Sequence, residues 1–392
     1  MVLAAGRLID TVEEFWTQED WSNAVANAKQ DCVGDFCRSF VEFLGAQDFN
    51  AFPCATGEEA LYWALRVALS RTSRRKVLVS GFNCPVVFQA VRAAGGDVVE
   101  FDRPAPNQYA DEIRDLIVQY RPAALIVTHF FGVPEDFLGL IEFARSHGVF
   151  LVEDCAHCIG AEVGNRVAGT LADAAIFSFN YDKPISLLGG GILLLAAPYA
   201  QQIQGVGYMT GGLHSARQKY EHISVLLMRL WLYWRRHPFG IGGFLNRCLV
   251  YFIGRYITRL NRSTPLGPIR ASLGLSLLQR YYAILQKRRD NAACIRFPSA
   301  VTGWQHASTV KPAWLKQKSG PYSPNALARV AQVARSERIR IGNYNWPDCS
   351  MVDRDDNARN AGYARHWLDV PVHQNLGALN IQQVNGILHD IQ

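Results

Sequence analysis

The sequence predicts an α/β fold built on a doubly wound, mostly parallel β-sheet. Continuous apolar runs, such as residues 123–127 and 174–177, are typical of strands that are buried on both faces of a parallel sheet. Between residues 55 and 197 these runs alternate with helical patterns, which is the order that produces a doubly wound domain. At 392 residues the chain is also long enough to form a second, smaller domain.

The composition is that of a folded globular protein, because 49% of the residues are hydrophobic and 19% are charged. Nine scattered cysteines, an odd number, favour a reducing cytosol over a disulfide framework. The first fifteen residues include acids and lack a long apolar core, so no signal peptide is expected. We therefore expect a cytoplasmic protein.

The elements can be predicted in chain order. Residues 8–50 carry apolar side chains at helical spacing, which predicts two amphipathic helices. Thr56 and Gly57 form a helix-start signal. The remaining predictions are strands at 76–80, 123–127, 149–152, 174–177 and 192–195, and a helix at 135–147.

Residues 150–191 carry the side chains that indicate chemistry. Asp154 ends one predicted strand, Ser178 ends the next, and Lys183 follows shortly before the glycines 189–191. In α/β proteins, ligands bind at the carboxyl ends of the strands. An acid, a serine and a lysine at that edge suit a cofactor with a basic ring nitrogen, a phosphate and an aldehyde, which describes pyridoxal 5'-phosphate (PLP).

Cys155 and Cys158 form a CxxC pair inside this stretch. A zinc site of this type needs a second pair at matching spacing, and the sequence contains none. We therefore expect no metal, and we expect the two thiols to pack behind Asp154.

The same stretch resembles the DegT/DnrJ/EryC1/StrS family of PLP-dependent sugar aminotransferases. Their pattern EDxAxxxGA matches residues 153–161, and FSFxxxK matches residues 177–183. The resemblance implies fold type I, with a large sheet domain and a small C-terminal α+β domain. It implies that Asp154 holds the pyridinium nitrogen, that Ser178 binds the phosphate and that Lys183 is the Schiff-base lysine. His157 falls at a position near the cofactor ring.

The resemblance also implies an activity. It predicts transfer of an amino group from an amino-acid donor, expected to be glutamate, to a nucleotide-linked keto-sugar, in polysaccharide, lipopolysaccharide or secondary-metabolite biosynthesis. It predicts a homodimer, because active sites in the family are built across the subunit interface. Related sugar dehydratases replace the lysine with histidine, so Lys183 argues against that reaction.

Two parts of the expected cofactor site depart from the family pattern. The first amides of the helix at Gly57 should hold the phosphate, but Glu58 stands where the family has Thr or Ser. Either Glu58 turns away, or Thr56 makes the contact. Phe82 is the aromatic nearest the position that stacks on the ring, which itself holds Cys84. A purely structural place for Phe82 in the core is equally open.

The expected domains are residues 1–50, a helical segment, and 51–221, the large PLP-binding domain. Residues 222–262 are a basic, aromatic insertion, and 263–392 form a connecting helix and the small domain. The net charge of +6 is concentrated between residues 222 and 289, which hold twelve Lys or Arg and no acid. No nucleic-acid-binding motif accompanies these basic residues.

No uncharged run near residues 223–262 approaches the ~20 residues of a spanning helix. Its mixture of Trp, Tyr, Arg and aliphatic residues is typical of interfacial segments, which predicts peripheral contact with the inner face of the membrane. The alternative is a helical insertion that packs on its own protein or on a dimer partner, with its arginines on the nucleotide pyrophosphate. Two further alternatives are a relative that has lost catalysis and a membrane-associated binding protein built on this fold.

Overall fold

A computed structural model gives the fold. It describes residues 16–29, 31–102, 108–205, 220–236, 253–254, 256–257, 259, 264–297, 302–303, 306–314, 316–320, 323–336, 339, 341 and 368–389. Much of the 222–262 insertion, as well as residues 8–15 of the first predicted helix, lies outside these ranges.

The strands that precede residue 200 are β1 (Phe49–Cys54), β2 (Lys76–Ser80), β3 (Asp97–Phe101), β4 (Ala124–Thr128), β5 (Phe150–Asp154), β6 (Glu162–Val163), β7 (Arg166–Val167), β8 (Ala174–Ser178) and β9 (Gly191–Ala196). Seven of them form one sheet in the order β1-β9-β8-β5-β4-β2-β3. Strands β3, β2, β4, β5 and β8 are parallel, whereas β9 runs antiparallel to both β8 and β1. The predicted mostly parallel α/β fold is confirmed.

The helices up to residue 205 are α1 (Gln18–Ala26), α2 (Cys32–Leu44), α3 (Gly57–Ser70), α4 (Pro85–Ala94), α5 (Tyr109–Tyr120), α6 (Ile141–Ser146), α7 (Ala197–Ala200) and α8 (Gln202–Gly205). They are followed by α9 (Glu221–Arg236) and the long α10 (Pro268–Cys294). Short 3-10 turns span Phe130–Gly132 and Leu138–Leu140.

Alternate residues of each central strand face opposite layers. In β5, Phe150 and Val152 pack in the cluster with α3 and α4, whereas Leu151 packs on the opposite face with Ile113 and Ile117 of α5. In β8, Ala175 and Phe177 face the cluster that contains α2 and α10. Because both faces are covered, the strands carry continuous apolar runs, as the sequence indicates.

The helix predicted over 135–147 is shorter than expected, because only Leu138–Leu140 and Ile141–Ser146 are helical. Local polar groups explain the late start. The Glu135 N–H donates to His129 Nδ1 at 3.0 Å, and the Leu138 N–H donates to the Asp136 side chain at 3.2 Å. These donors are therefore directed to side chains at the beginning of the predicted segment.

The C-terminal part has its own apolar cluster, which joins the end of α10 to residues such as Val330, Val370 and Val384. The remaining strands are β10 (Thr302–Gly303), β11 (Val310–Lys311), β12 (Gln317–Gly320) and β13 (Leu368–Val370), and the remaining helices are α11 (Pro324–Ser336) and α12 (Ala378–His389). Strands β10, β12 and β13 form an antiparallel sheet, while β11 pairs with β6 of the large domain. Among the described helices, none combines the length and apolar character that crossing a membrane requires.

Glu221 joins α9 to the start of α10. Its buried carboxylate accepts the backbone N–H groups of Gly267, Ile269 and Arg270, each at 3.1 Å. Arg270 is also buried and donates to Ser224 Oγ of α9 at 3.1 Å. The N-terminal N–H groups of a helix lack partners within it and carry partial positive charge, so Glu221 satisfies them and fixes the position of α9.

We expect Glu221→Ala to lower the free energy of unfolding by about 2–4 kcal/mol, because three buried donors and the nearby Arg270 would lose their carboxylate. Glu19→Ala, in the exposed first turn of α1, is the control and should cost less than about 0.5 kcal/mol. Urea unfolding of both variants measures the difference. Equal stabilities would contradict a capping role for Glu221.

Candidate functional site

The predicted site residues gather at the carboxyl edge of the parallel strands. Lys183 lies in the connection between β8 and the antiparallel β9, and its side chain is 17% exposed. Its Nζ is 2.9 Å from His157 Nε2 and 3.8 Å from the carboxylate of Asp182. The turn that carries His157 follows β5, so the fold brings the lysine and the histidine together from neighbouring strands.

His157 is oriented by the backbone. The Phe131 N–H donates to His157 Nδ1 at 3.3 Å, so the neutral ring carries its proton on Nε2, where it points to Lys183 Nζ. Burial, with the nearby amines of Lys183 and Lys316, holds the pKa of His157 well below its usual range. The imidazole therefore stays neutral beside Lys183 Nζ.

Asp154 ends β5 and is 7% exposed. One of its carboxylate oxygens accepts the Ala156 N–H at 3.1 Å. Burial raises the pKa of Asp154, while the Ala156 hydrogen bond and the positive charge of Lys183 oppose that rise. A buried carboxylate in this position is suited to a cationic ligand group, such as a protonated ring nitrogen.

Ser178 and the start of α3 are in close contact. A Cβ on Gly57 would lie 2.8 Å from Ser178 Cβ, and a Cβ on Gly191 would lie 2.6 Å from the Thr56 carbonyl. Glycine at both positions lets the two strand ends approach the helix N-terminus, where backbone N–H groups favour anions. Ser178 and Gly57 therefore lie side by side, as the resemblance implies for a phosphate site.

Thr56 and Glu59 form the cap of α3. Thr56 Oγ accepts the Glu59 N–H at 3.0 Å, and the Glu59 carboxylate accepts the Ala55 N–H at 2.6 Å. Thr56 is thus engaged as the N-cap, although its hydroxyl can still donate a proton. Glu58 is half-buried in the first turn. A phosphate contact at this end of α3, at Glu58 or at Thr56, stays a prediction.

Phe82 belongs to an aromatic cluster with Phe130, Phe131 and the partly buried Trp314. Its ring centroid is 5.2 Å from that of Phe130 and 6.1 Å from that of Phe131. Phe131 in turn is stacked with His157 at 6.0 Å. Phe82 is therefore packed in a core that borders the site. Cys84 lies at the start of α4, and burial raises the pKa of its thiol. The charges of Lys183 and Asp154 also act on this thiol.

A buried ion pair from the C-terminal part borders the site, and no pattern in the sequence predicts it. Lys316 Nζ is 2.7 Å from an Asp369 carboxylate oxygen, and both side chains are buried. The same ammonium lies 5.0 Å from the centre of the Phe131 ring. Position 316 lies 133 residues from Lys183, and only tertiary packing brings it to the site.

Cys155 and Cys158 are fully buried, and their sulfur atoms lie with a His129 nitrogen within 4.8 Å of one another. Both nitrogens of His129 have protein contacts, since Nδ1 accepts the Glu135 N–H and Nε2 lies 3.1 Å from Glu153. Glu153 also accepts N–H groups of the 169–172 loop. This arrangement is a satisfied polar network behind β5, and burial raises the pKa of Cys155 well above its usual range.

The donor set fits PLP. Asp154 could hold the ring nitrogen, Lys183 the aldehyde carbon, and Ser178 with the Gly57 end of α3 the phosphate. The tight cradle at Gly57 and Gly191 supports this assignment, because side chains there would fill the space between the strand ends and the helix. His157 lies beside the amine of Lys183.

The chain is similar to known aminotransferases. The family model described as the DegT/DnrJ/EryC1/StrS aminotransferase family matches residues 17–299. The UDP-N-acetyl-3-dehydro-alpha-D-glucosamine 3-aminotransferase of Acidithiobacillus ferrooxidans is 32% identical over 173 residues, which is 43% of this chain and 45% of that protein. The dTDP-3-amino-3,4,6-trideoxy-alpha-D-glucose transaminase of Micromonospora megalomicea subsp. nigra is 35% identical, over 48% of this chain and 45% of that protein.

The structural likeness extends further along the chain. The aminotransferase TlmJ from Streptoalloteichus hindustanus superimposes with a TM-score of 0.72 at 18% identity, covering 98% of each chain. At this identity the likeness concerns the fold. The chain spans less than half the length of each of these two curated relatives.

We expect Asp154→Asn to weaken retention of PLP and to raise the melting temperature of the PLP-free protein. The raised pKa means that the charged form is disfavoured on folding, so an ionised Asp154 costs stability above that pKa and asparagine removes the cost. Titration with PLP and thermal unfolding measure the two effects.

The matched control is Asp173→Asn, because burial also raises the pKa of Asp173, but Asp173 precedes β8 at the opposite edge of the sheet. This variant should retain PLP as the wild type does. Equal PLP retention by Asp154→Asn and the wild type would contradict a role for Asp154 at the ring nitrogen.

His157→Phe should lower kcat for amino transfer by roughly 100-fold, because the proton that faces Lys183 Nζ is lost. His157→Gln keeps an N–H donor and should lie between this variant and the wild type. His147→Phe, at an exposed histidine after α6, is the control. A His157→Phe variant with the kcat of the wild type would show that the imidazole contributes nothing to the reaction.

Proposed function

Because the chain belongs to the DegT/DnrJ/EryC1/StrS aminotransferase family, we propose that it is a PLP-dependent aminotransferase. The observation that carries the proposal is the position of Lys183. Its amine lies 2.9 Å from a neutral histidine at the strand edge that also holds the buried Asp154. A reactive lysine beside an acid at neighbouring strand ends is what PLP chemistry requires of a protein.

The side chains would have distinct tasks. PLP, when bound, supplies an electron sink that allows a proton to be removed from the carbon bearing the amino group. Asp154 would keep the ring nitrogen protonated through its carboxylate. Lys183 would bind the cofactor covalently and, once displaced by the donor amine, would take and return a proton at Nζ. His157 would hold its Nε2 proton toward that amine and keep it oriented.

The substrates proposed are a nucleotide-linked keto-sugar and an amino-acid donor, with glutamate as the expected donor. The names of the two curated relatives support the acceptor class, since one refers to a UDP-linked and the other to a dTDP-linked sugar. The product would be an amino-sugar for polysaccharide, lipopolysaccharide or secondary-metabolite biosynthesis.

The assembly and location are proposed on the sequence. A homodimer is proposed because family active sites are built across a subunit interface. Location in the cytoplasm is proposed because the cysteines are scattered and odd in number. Peripheral contact of residues 223–262 with the inner face of the membrane is proposed from the basic, aromatic composition of that segment.

The decisive test is the visible spectrum of the purified protein with PLP, before and after addition of glutamate. The wild type should show the absorbance of lysine-bound PLP, and glutamate should shift it toward the amine form of the cofactor. Lys183→Ala should lack the lysine-bound absorbance and lose between about 10²- and 10⁴-fold in amino transfer. Lys311→Ala, at a lysine paired with Glu162 away from β8, should behave as the wild type.

Two results would contradict the proposal. Lysine-bound absorbance that persists in Lys183→Ala would place the cofactor on another lysine. A wild-type protein that binds no PLP would favour the alternative in which a family member has lost catalysis and acts in binding.

A further inference from the structure

Helix α9 carries apolar side chains on two opposite faces. One face is buried in the core of the large domain through residues such as Val225, Met228 and Leu232. The other face carries side chains that are between 51% and 61% exposed, at the helical spacing of one stripe: Ile223, Leu226, Leu230 and Tyr233. We refer to these four residues as the docking face.

The exposed apolar residues are concentrated around this helix. Seven of the thirteen exposed large apolar side chains in the described part of the chain lie between Tyr220 and Tyr256. Ile253 is 39% exposed and Tyr256 is 72% exposed, whereas Gly254 and Ile257 face inward. Isolated exposed apolar residues are ordinary on protein surfaces, but a contiguous stripe marks a surface that binds something.

The docking face is held firmly by the protein beneath it. Glu221 and Ser224 join the first turn of α9 to α10. The Arg229 guanidinium lies 5.4 Å from the Trp21 ring and donates to the Gln18 side chain of α1. Since the opposite side of the helix is already packed, the helix cannot rotate to bury Leu226 and Leu230 in its own core.

The positive charge of residues 223–262 favours an anionic partner. Between residues 223 and 262 the sequence contains seven arginines and no acidic residue. Arg229 belongs to α9, and copies of this helix packed face to face would offer no acid from residues 223–236 to compensate its charge. An anionic lipid surface offers both an apolar layer for the stripe and negative charge for the arginines.

We infer that the docking face of α9 binds an anionic membrane surface, with its four apolar side chains inserted among the lipids. This deepens the proposed membrane contact by assigning it to one helix face, and it does not depend on the proposed catalysis. Trp231, on the buried side of α9, packs edge-on against Tyr181 with ring centroids 5.5 Å apart. Because Tyr181 precedes Lys183 by two residues, the bound membrane would lie on the side of the protein that carries the lysine loop.

Flotation with lipid vesicles tests the inference on the full chain. The wild type should float with phosphatidylcholine vesicles that contain phosphatidylglycerol, and added salt should weaken this binding, because salt screens the arginines. The double variant Leu226→Glu/Leu230→Glu should lower the partition coefficient by roughly tenfold or more. Its matched control, Leu379→Glu, changes a 68% exposed leucine of α12 and should bind as the wild type does.

Several results would overturn the inference. One is equal flotation of the wild type and the double variant. A second is wild-type binding to vesicles of phosphatidylcholine alone that equals its binding to vesicles with phosphatidylglycerol. A third is a wild type that binds no vesicles and forms a dimer that the double variant converts to monomers. The last result would assign the face to a second copy of the chain. Circular dichroism checks that each variant is folded. Transamination of a soluble substrate should be unchanged in the double variant, so a failure of flotation and a failure of the proposed catalysis are separate outcomes.

Discussion

The burial of a carboxylate at the end of β5 is the constraint on which the site depends. Asp154 is almost inaccessible, and burial raises its pKa, so its charged form needs a positive partner. Lys183 supplies part of that charge in the free protein. A protonated ring nitrogen would supply it directly. The proposed contact with a ring nitrogen would account for an acid at the end of a strand that is buried on both faces.

The backbone arranges the other groups around this acid. Strand β9 returns antiparallel to β8, so the connection between them lies over the sheet edge and carries Lys183. Glycine at positions 57 and 191 permits close approach of α3 and the strand ends, and this places Ser178 beside a helix N-terminus. The Phe131 N–H then selects the tautomer of His157 that faces the lysine. Backbone geometry therefore determines the positions of Lys183, Ser178 and His157.

The sequence was sufficient for the parts that depend on local pattern. The buried strands, the start of α3 at Gly57, and the neighbouring positions of Asp154, Ser178 and Lys183 follow from apolar runs and from the rule for strand ends. It was insufficient where packing decides. The late start of α6 depends on His129 and Asp136, and Lys316 reaches the site only because the C-terminal part folds against Phe131. The exposed stripe of α9 also could not be distinguished from its buried face, since both are apolar.

We propose that the cofactor is attached to Lys183. Reduction of the PLP-loaded protein with borohydride, followed by peptide mass spectrometry, tests it most directly, because reduction makes the bond to the lysine permanent. We expect a phosphopyridoxyl group on the peptide that contains Lys183 and an unmodified peptide at Lys316. Modification of another lysine, or no modification in protein saturated with PLP, would contradict it.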